Sequence, residues 1–334
     1  MFIRKYVVLS ICFLLFVSCE KETMFEVDGQ ALGTSYNVNY YAEDKQDFKP
    51  QFDSIFEVLN NSISTYVEDS DVSKFNNGQQ ITLDDHFKTV FSSSMDIYHK
   101  SDGYFDPSIG LLVNAYGFGP VDYDIKMTDA NVDSLMNFVG FNKFQLKDNS
   151  IQTNLNSYFL DFNGNGKGYA VDVLANYLKD KGITNFFVEI GGEIVASGYN
   201  IDEDQPWTFG IEKPDEDNSQ RDLSYAIMLN EKALATSGNY RKFRTDEATG
   251  LKFVHTINPK TGKAEKSNVL SASVVSKDCL TADAYATAFM AMGLDKAKAL
   301  IEKEGMSALI IYADDNNEIQ SYITEDLEEL ISEF

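Results

Sequence analysis

Segments with the periodicity of helices and segments with the periodicity of strands are interleaved along this chain, without the regular strand–helix–strand order of a parallel sheet. Apolar residues recur every three or four positions in residues 52–63 and 86–98, which indicates helices with one buried face. They alternate or form short runs in residues 25–41, 185–197 and 269–276, which is typical of strands. The pattern therefore predicts an α+β fold of mixed, largely antiparallel sheets with packed helices.

The length of the chain, 334 residues, allows one large domain or two closely packed lobes. With 43% hydrophobic residues it can bury a substantial core, which excludes a disordered or fibrous protein. The remaining predicted elements are strands at 157–162, 207–211, 225–229 and 252–257, helices at 169–178, 278–292 and 295–303, and a final strand at 308–312. Loops are expected at 117–124, 202–206 and 214–222.

The N-terminus has the organisation of an export signal. Residues 1–5 form a short segment made basic by Arg4 and Lys5. Residues 6–17 form an apolar run that is shorter than the about twenty residues a membrane-spanning helix needs. The run ends at Ser18 and Cys19 and then turns polar, which resembles a bacterial lipobox with Cys19 as the lipidated residue. A plain signal peptide with an incidental cysteine is the alternative. We predict a signal peptide at 1–18, an N-terminal tether at 19–30 and one domain at 31–334.

Cysteine and charge content narrow the class of protein further. Cys12 would leave with the signal and Cys19 would carry lipid, so only Cys279 remains and no intramolecular disulfide is expected. Acidic residues outnumber basic ones 52 to 28, and a formal charge of −24 argues against non-specific nucleic-acid binding, which needs a basic surface. Anionic lipids repel such a chain, so membrane attachment has to be covalent or transmembrane. An anionic substrate would need a local cation.

Residues 161–169 form the segment richest in turn-forming residues. Gly164, Gly166 and Gly168 alternate there, and we expect the segment to follow a strand and open a helix, where backbone N–H groups can receive phosphate. Lys167 adds a positive charge to this loop. The spacing fits neither a Walker A loop nor the GxGxxG dinucleotide motif, so a tight turn without a ligand is the alternative.

Asp283 and Thr287 are four residues apart on a predicted helix, so their side-chain oxygens lie on one face. Mg²⁺ accepts such a pair when phosphates and water complete its coordination, and a structural role in the helix is the alternative. His255 ends a predicted strand, where most histidines are structural. The sequence contains no CxxC, HExxH or GxSxG motif, which excludes thiol redox proteins, zincins and α/β-hydrolases.

Taken together, these segments resemble the ApbE family, the FAD:protein FMN transferases. Each matching segment is weak alone, but eight of them in one order are highly specific. The resemblance extends from about residue 31 to about residue 293. Its segments are residues 31–36, 64–66 with 70–76, 102–108, 161–172, 189–193, 235–241, 255–259 with 261–262, and 282–287.

The resemblance implies an ApbE-like, T-fold-related architecture and transfer of FMN from FAD to a Thr or Ser hydroxyl of a partner protein, with release of AMP. It implies Mg²⁺ held by Asp283, Thr287 and the backbone carbonyl of Gly164. It also implies Lys167 beside the phosphates and His255 as the proton acceptor. The positions that carry over as FAD contacts are Leu32, Tyr66, Tyr104, Phe105, Asp106, Asp161, Lys167 and Ile257.

The chain departs from the family pattern at two places. Leu32 stands where members usually have Met, which is a mild apolar exchange. Asn165 and Gly166 stand where an Ile-Ala pair usually precedes the lysine. The second departure affects the detailed geometry of the loop and leaves the carbonyl of Gly164 in place.

The same resemblance suggests a partner and a location. The acceptor would be a flavoprotein subunit of a membrane redox complex, such as a sodium-pumping NADH:quinone oxidoreductase (Nqr) or an Rnf-type complex. The protein would be exported and anchored by lipid on Cys19, on the periplasmic side of the inner membrane. An FAD pyrophosphatase that yields FMN and AMP, and a non-catalytic lipid-anchored binding protein, are the alternative functions. Asp283, Thr287 and Lys167 favour an enzyme, because a pure binder would not require them.

Overall fold

The computed structural model describes residues 22–44, 46–214, 223–238, 243–245, 252–254, 256–264 and 267–333. The predicted signal peptide, Cys19 and His255 lie outside these described residues, as does most of the predicted loop at 214–222. Within the described ranges, no helix is both long enough and apolar enough to cross a bilayer. Cys279 is a buried free thiol.

The elements alternate along the chain as follows. The helices are α1 (Lys49–Ile63), α2 (Asp71–Asn76), α3 (Asp85–Lys100), α4 (Gly110–Ala115), α5 (Asp129–Met136), α6 (Gly166–Asp180), α7 (Cys279–Met292), α8 (Leu294–Glu304) and α9 (Glu325–Glu328). The strands are β1 (Thr23–Ala31), β2 (Thr34–Ala42), β3 (Phe144–Lys147), β4 (Ser150–Thr153), β5 (Phe186–Ile190), β6 (Glu193–Ser197), β7 (Tyr199–Asn200), β8 (Gln205–Glu212), β9 (Leu223–Leu229), β10 (Lys232–Gly238), β11 (Phe243–Thr245), β12 (Lys252–Val254), β13 (Val269–Ser276), β14 (Ser307–Ala313), β15 (Ile319–Ile323) and β16 (Ile331–Glu333).

The centre of the molecule is an eight-stranded sheet with the order β1-β2-β5-β6-β10-β13-β14-β15. Every neighbouring pair in it is antiparallel. A four-stranded antiparallel sheet, β16-β9-β8-β7, and the two hairpins β3-β4 and β11-β12 complete the described strands. The predicted α+β class with largely antiparallel sheets is therefore confirmed.

Both faces of the central strands are buried. Along β10, Ala233 and Ala235 pack into the larger core beneath the helices, whereas Leu234 packs into a second core beneath the four-stranded sheet. Val274 and Val275 on β13 divide between the two cores in the same way. Because successive side chains of a strand point to opposite faces, the molecule is a three-layer stack of helices, large sheet and small sheet.

Helix α7 lies at the centre of the helical layer. Twelve of its fourteen residues are buried, and the many alanines allow the helix to approach the neighbouring strands closely on several sides. The side chain of Asp278 accepts a hydrogen bond from Thr281 N at 2.9 Å and caps the helix. This buried helix carries Asp283 and Thr287 into the interior of the molecule.

The strand predicted at 157–162 is not present. These residues form a bend and irregular backbone and belong to no strand. The backbone N–H and C=O of Leu160 instead bond to the Asn76 side chain at 2.7 and 2.9 Å, and Asp161 N donates to Pro107 O at 2.8 Å. Since side-chain and loop groups bond to this backbone, the glycine-rich segment follows a loop and not a strand.

The prediction ended the series of elements too early at the C-terminus. The strand β14 does not close the chain, because β15, α9 and β16 follow it. Strand β15 lies at the edge of the large sheet and is mostly exposed, so it lacks the apolar pattern that marks a buried strand. Strand β12 ends at Val254, so Ile257, which the prediction placed in a strand at 252–257, lies beyond the observed strand.

Candidate active site

One large cleft of about 1100 Å³ runs between the helical layer and the ends of the central strands. It is lined by the β1–β2 turn, the end of α1, the loop before α4, the start of α6, the β5–β6 turn and α7. All described residues that the sequence singled out for the site line it: Leu32, Tyr66, Tyr104, Phe105, Asp106, Asp161, Gly164, Lys167, Ile257, Asp283 and Thr287.

The starts of α6 and α7 are locked together at the floor of this cleft. A Cβ at Gly168 would lie 2.3 Å from the carbonyl oxygen of Cys279, so only glycine permits this contact. Gly168 N donates to Asp283 Oδ2 at 3.0 Å. Asp172 accepts the backbone N–H groups of Cys279 and Leu280, each at 2.8 Å. These bonds orient Asp283 toward the glycine-rich segment.

The residues predicted to hold a divalent cation fit one. Thr287 Oγ1 donates to the carbonyl oxygen of Gly164 at 3.1 Å. Two neighbouring ligands of an octahedral Mg²⁺ are expected roughly 3 Å apart, given ligand distances of about 2.1 Å. Asp283 lies one turn before Thr287 and lines the same cleft. The donors are hard oxygens, which is the ligand type that Mg²⁺ prefers.

No group of three or more His, Cys, Asp or Glu side chains converges among the described residues in a way that could hold a metal alone. The donor set at this point is one carboxylate, one hydroxyl and one carbonyl, which leaves the remaining positions to substrate phosphates and water. Such an open site suits a cation that acts on a bound phosphate rather than one that stabilises the fold.

Lys167 lies between two buried carboxylates. Its Nζ is 2.5 Å from Glu193 Oε1 and 4.0 Å from Asp283 Oδ2. Burial alone would lower the pKa of the Lys167 ammonium, but the charges of Asp283 and Glu193 outweigh burial and hold the pKa above its usual value. Burial raises the pKa of Glu193 and of Asp283, and the Lys167 charge opposes both shifts. The two carboxylates therefore favour the cationic form of Lys167.

Glu193 received no role from sequence reasoning, although its segment was recognised. It is 3% exposed, and its Oε2 is buried without a hydrogen-bond partner in the structure. The signal in the sequence was a single acidic residue directly after Gly191 and Gly192, at the head of the apolar strand β6. A buried carboxylate in such a strand needs a cation, and that cation is Lys167.

The β1–β2 turn forms part of the rim and is strained. Leu32 has φ of 52° and Gly33 has φ of 76°, so both central residues of this two-residue turn lie in the left-handed region. Glycine or asparagine is usual at the first position, and a leucine there costs roughly 1–3 kcal/mol. The turn thus holds an apolar side chain at the cleft despite that cost.

The aromatic residues of the cleft differ in exposure. Tyr66 is 62% exposed, and its hydroxyl donates to Phe118 O at 3.4 Å. Tyr104 is buried, bonds to Lys296 Nζ, and has the same ammonium 4.8 Å from its ring centroid. Phe105 lies under Gly164, where an added Cβ would be 3.1 Å from its ring. Tyr66 is free to cover a planar ligand, whereas Tyr104 and Phe105 shape the wall.

Two further carboxylates line the cleft. Asp106 Oδ1 accepts Ser108 N at 2.8 Å and Ser108 Oγ at 2.5 Å, and burial raises the pKa of Asp106 from 3.8 to about 6. Asp161 accepts Asn163 N at 2.9 Å, and burial raises its pKa as well. The bonds of Asp106 fix the short turn that follows it.

Asn165, one of the two departures from the family pattern, has a structural role. Its side chain is fully buried, and Nδ2 donates to Ser94 Oγ on α3 at 2.9 Å. This bond ties the glycine-rich segment to α3. His255 lies outside the described residues, so the proposed proton acceptor stays a prediction, whereas Ile257 lies buried in the cleft wall.

Several known proteins share this sequence pattern and fold. The profile of the ApbE family matches residues 32–310. An FAD:protein FMN transferase of Vibrio cholerae is 33% identical over 322 residues, covering 94% of this chain and 95% of that protein. One of Haemophilus influenzae is 32% identical over 314 residues, covering 90% of each.

Solved structures show the same similarity. The flavin transferase ApbE from Vibrio cholerae superposes with a TM-score of 0.82 and 31% identity, covering 93% of this chain and all of that one (100%). The apo form of the Pseudomonas stutzeri flavinyl transferase ApbE gives a TM-score of 0.81 with 27% identity, covering 92% and 97%. The similarity thus extends over nearly the full length of both chains.

Proposed function

This chain belongs to the ApbE family of flavin transferases, and on that premise we propose that it is a Mg²⁺-dependent enzyme that moves FMN from FAD to a Thr or Ser hydroxyl of a target protein. The observation that carries the proposal is the convergence of Asp283, Thr287, the Gly164 carbonyl and Lys167 in one cleft. These groups supply oxygen ligands and a positive charge at a single point.

In the proposed reaction the acceptor hydroxyl oxygen bonds to the phosphorus of the FMN moiety. The bond from that phosphorus to the bridging oxygen breaks, AMP leaves with the bridging oxygen, and the hydroxyl proton passes to a base. His255 is the base we propose. When bound by Asp283, Thr287 and the Gly164 carbonyl, Mg²⁺ would offset the negative charge that develops on the phosphoryl oxygens.

Residues of this chain have separate tasks in that scheme. Lys167, held between Glu193 and Asp283, places a fixed positive charge beside the phosphates. Tyr66 covers a ring of the dinucleotide at the open side of the cleft, and Leu32 and Ile257 contact it from the walls. Tyr104, Phe105, Asp106 and Asp161 complete the proposed FAD contacts.

We further propose that the protein is exported and anchored by lipid on Cys19, on the periplasmic side of the inner membrane. The acceptor would then be a subunit of a membrane redox complex of the Nqr or Rnf type. The basic and apolar residues before Cys19 support the anchor, and the family membership supports a protein acceptor. Labelling with a radioactive fatty acid, compared between the natural protein and Cys19→Ser, tests the anchor.

The transfer itself is tested by mixing the protein with FAD, Mg²⁺ and a candidate acceptor subunit that carries the target Thr. We expect the acceptor to gain the mass of FMN less water while AMP appears in equal amount. FMN and AMP without an acceptor adduct would favour the pyrophosphatase, and unchanged FAD would favour a non-catalytic binder.

Asp283→Asn tests the metal assignment. The amide oxygen keeps the bond from Gly168 N, but the cation loses its one carboxylate ligand, so we expect kcat to fall by about 100-fold or more. The unfolding midpoint should not fall with it, because a buried carboxylate is removed. The matched control is Asp295→Asn, on the exposed first turn of α8, which should retain full activity. Normal turnover by Asp283→Asn would refute the assignment.

A further inference from the structure

Strand β6 begins with a buried carboxylate that has no direct task in the flavin scheme. Glu193 is the first residue of β6, directly opposite Ile190 on β5, and is 3% exposed. Strand β6 lies between β5 and β10 in the large sheet. Because strands on both sides pair with β6, the sheet fixes the position of the Glu193 carboxylate.

Lys167 is the more adaptable partner in this ion pair. It lies on the first turn of α6, and its ammonium is carried by a flexible four-carbon stem whose side chain is 31% exposed. Its Nζ is 2.5 Å from Glu193 Oε1 but 4.0 Å from Asp283 Oδ2. The lysine therefore contacts the carboxylate of the strand directly and that of helix α7 only at long range.

Asp283 is the alternative partner for the lysine. Among the described residues, Glu193 and Asp283 are the two carboxylates within 4.0 Å of Lys167 Nζ. Asp283 is 2% exposed, so water offsets little of its charge, and the nearby ammonium attracts it strongly. If Glu193 were neutral, the ammonium would be drawn to Asp283 as the remaining charged partner.

An ion pair of this kind would compete with a metal. A carboxylate that contacts an ammonium at about 2.8 Å has to release it before Mg²⁺ can bind at about 2.1 Å. The two cations also repel each other at such short range. The position of the Lys167 ammonium thus determines how readily the Asp283 carboxylate can serve as a metal ligand.

We propose that Glu193 is a positioning residue, which holds Lys167 away from Asp283 and so keeps the Asp283 carboxylate available to a divalent cation. The pairing leaves the lysine at the cleft, where its charge faces the substrate phosphates. The role of the cation rests on the proposed function, whereas the position of the lysine does not.

The first experiment locates the lysine. Crystal structures of the natural protein and of Glu193→Gln are compared at pH 8, without metal or FAD. We expect the distance from Lys167 Nζ to Asp283 Oδ2 to shorten from 4.0 Å to about 2.8 Å in the variant. A lysine that stays at its original distance overturns the proposal. Glu193→Met, similar in length and apolar like the rest of β6, replaces Glu193→Gln if that variant does not fold.

The second experiment measures metal affinity without FAD or acceptor. Mn²⁺, which takes the same oxygen ligands as Mg²⁺, is titrated into the protein, and electron paramagnetic resonance reports the free ion. We expect Glu193→Gln to raise the Kd for Mn²⁺ about tenfold. The double variant Lys167→Met with Glu193→Gln should restore it, because the competing ammonium is gone. Asp283→Asn should abolish the binding.

Glu231→Gln is the matched control for the change in charge. Glu231 also pairs with a lysine, Lys179, at 3.0 Å, but this pair is exposed and lies outside the cleft. The Kd for Mn²⁺ should not change in this variant.

The outcomes separate positioning from a merely structural role. A structural Glu193 would lower the unfolding midpoint and weaken Mn²⁺ binding in the single and the double variant alike, so the lack of recovery in the double variant overturns the proposal. An unchanged Kd in Glu193→Gln does the same. Absence of Mn²⁺ binding by the natural protein overturns the part that concerns the cation. Failure of FMN transfer while Mn²⁺ binding responds as expected would refute the proposed function alone.

Discussion

At the scale of single residues, the charge balance around Lys167 governs the site. The lysine compensates two buried carboxylates, so its removal leaves Glu193 and Asp283 unpaired. We expect Lys167→Met to lower the free energy of unfolding by about 3 kcal/mol at pH 8. Burial already raises the pKa of both carboxyls, and without the lysine each rises further. The loss should therefore shrink as the pH falls and both become protonated in the folded state.

Urea unfolding of Lys167→Met between pH 5 and pH 8 checks this expectation. The double variant Lys167→Met with Glu193→Gln is the control, because it removes one of the two unpaired charges and should recover part of the stability. A loss that is independent of pH, or no recovery in the double variant, would show that packing and not charge dominates.

The raised pKa of Asp106 leads to a separate prediction about how stability depends on pH. Its pKa is raised from 3.8 to about 6, so the neutral carboxyl is favoured in the folded state. A raised pKa contributes stability that is fully present below the unfolded value and is lost as the pH rises through the folded value. Relative to Asp106→Asn, the free energy of unfolding of the natural protein should therefore fall by up to about 3 kcal/mol between pH 4 and pH 7.

The Asn variant keeps an oxygen for the two bonds from Ser108. Any other effect of the substitution on the free energy of unfolding should therefore be the same at every pH. Paired urea titrations of the two proteins at pH 4, 5, 6 and 7 give the difference directly. A difference that stays flat across this range would contradict the burial of an ionisable carboxyl at this position.

At the scale of elements, the approach of α6 to α7 determines the geometry of the candidate metal site. Gly168 leaves no space for a Cβ, which would lie 2.3 Å from Cys279 O and 2.8 Å from Asp283 Cβ. Gly168→Ala should separate the helices and lower the free energy of unfolding by about 1–3 kcal/mol. Activity should fall with it, because Asp283 moves relative to Gly164.

Gly166→Ala is the matched control on the same turn. Its Cβ would meet only Ile63 Cδ1, at an ordinary contact distance of 3.7 Å. Since alanine favours a helix over glycine, the unfolding free energy should rise by about 0.5–1 kcal/mol. Chemical denaturation of both variants, measured side by side, tests the pair. Equal effects of the two substitutions would contradict the close helix contact.

At the scale of the whole molecule, the large sheet is covered on both faces, so the helical core and the second core are joined through it. The net charge of −24 acts against this compact state through self-repulsion. We expect the unfolding midpoint to rise by a few degrees between about 0.02 and 0.5 M NaCl, because the Debye length shortens to about 4 Å at the higher salt. Differential scanning calorimetry at several salt concentrations tests this, and a falling midpoint would contradict it.

Much of the architecture was predictable because local periodicity reports burial. The helices α1, α3, α7 and α8 and the strands around Gly191 and Gly192 were predicted within a few residues. Where the prediction was wrong, local periodicity did not report the hydrogen-bond partners or the burial of the segment. Residues 157–162 look apolar and extended, yet the side chain of Asn76 and the loop at Pro107 replace a partner strand. The edge strand β15 lacks a buried face and therefore an apolar pattern.

For the candidate site too, part was predictable from the sequence and part was not. The sequence by itself determined which residue types could bind phosphate and metal, since the one-turn spacing of Asp283 and Thr287 and the alternation of glycines are local properties. Only the tertiary structure decided that Glu193 compensates Lys167 and that Asp172 binds the start of α7, because these relations join residues distant in the chain. Spacing along a chain specifies direction within one element, whereas charge compensation and burial depend on which elements meet.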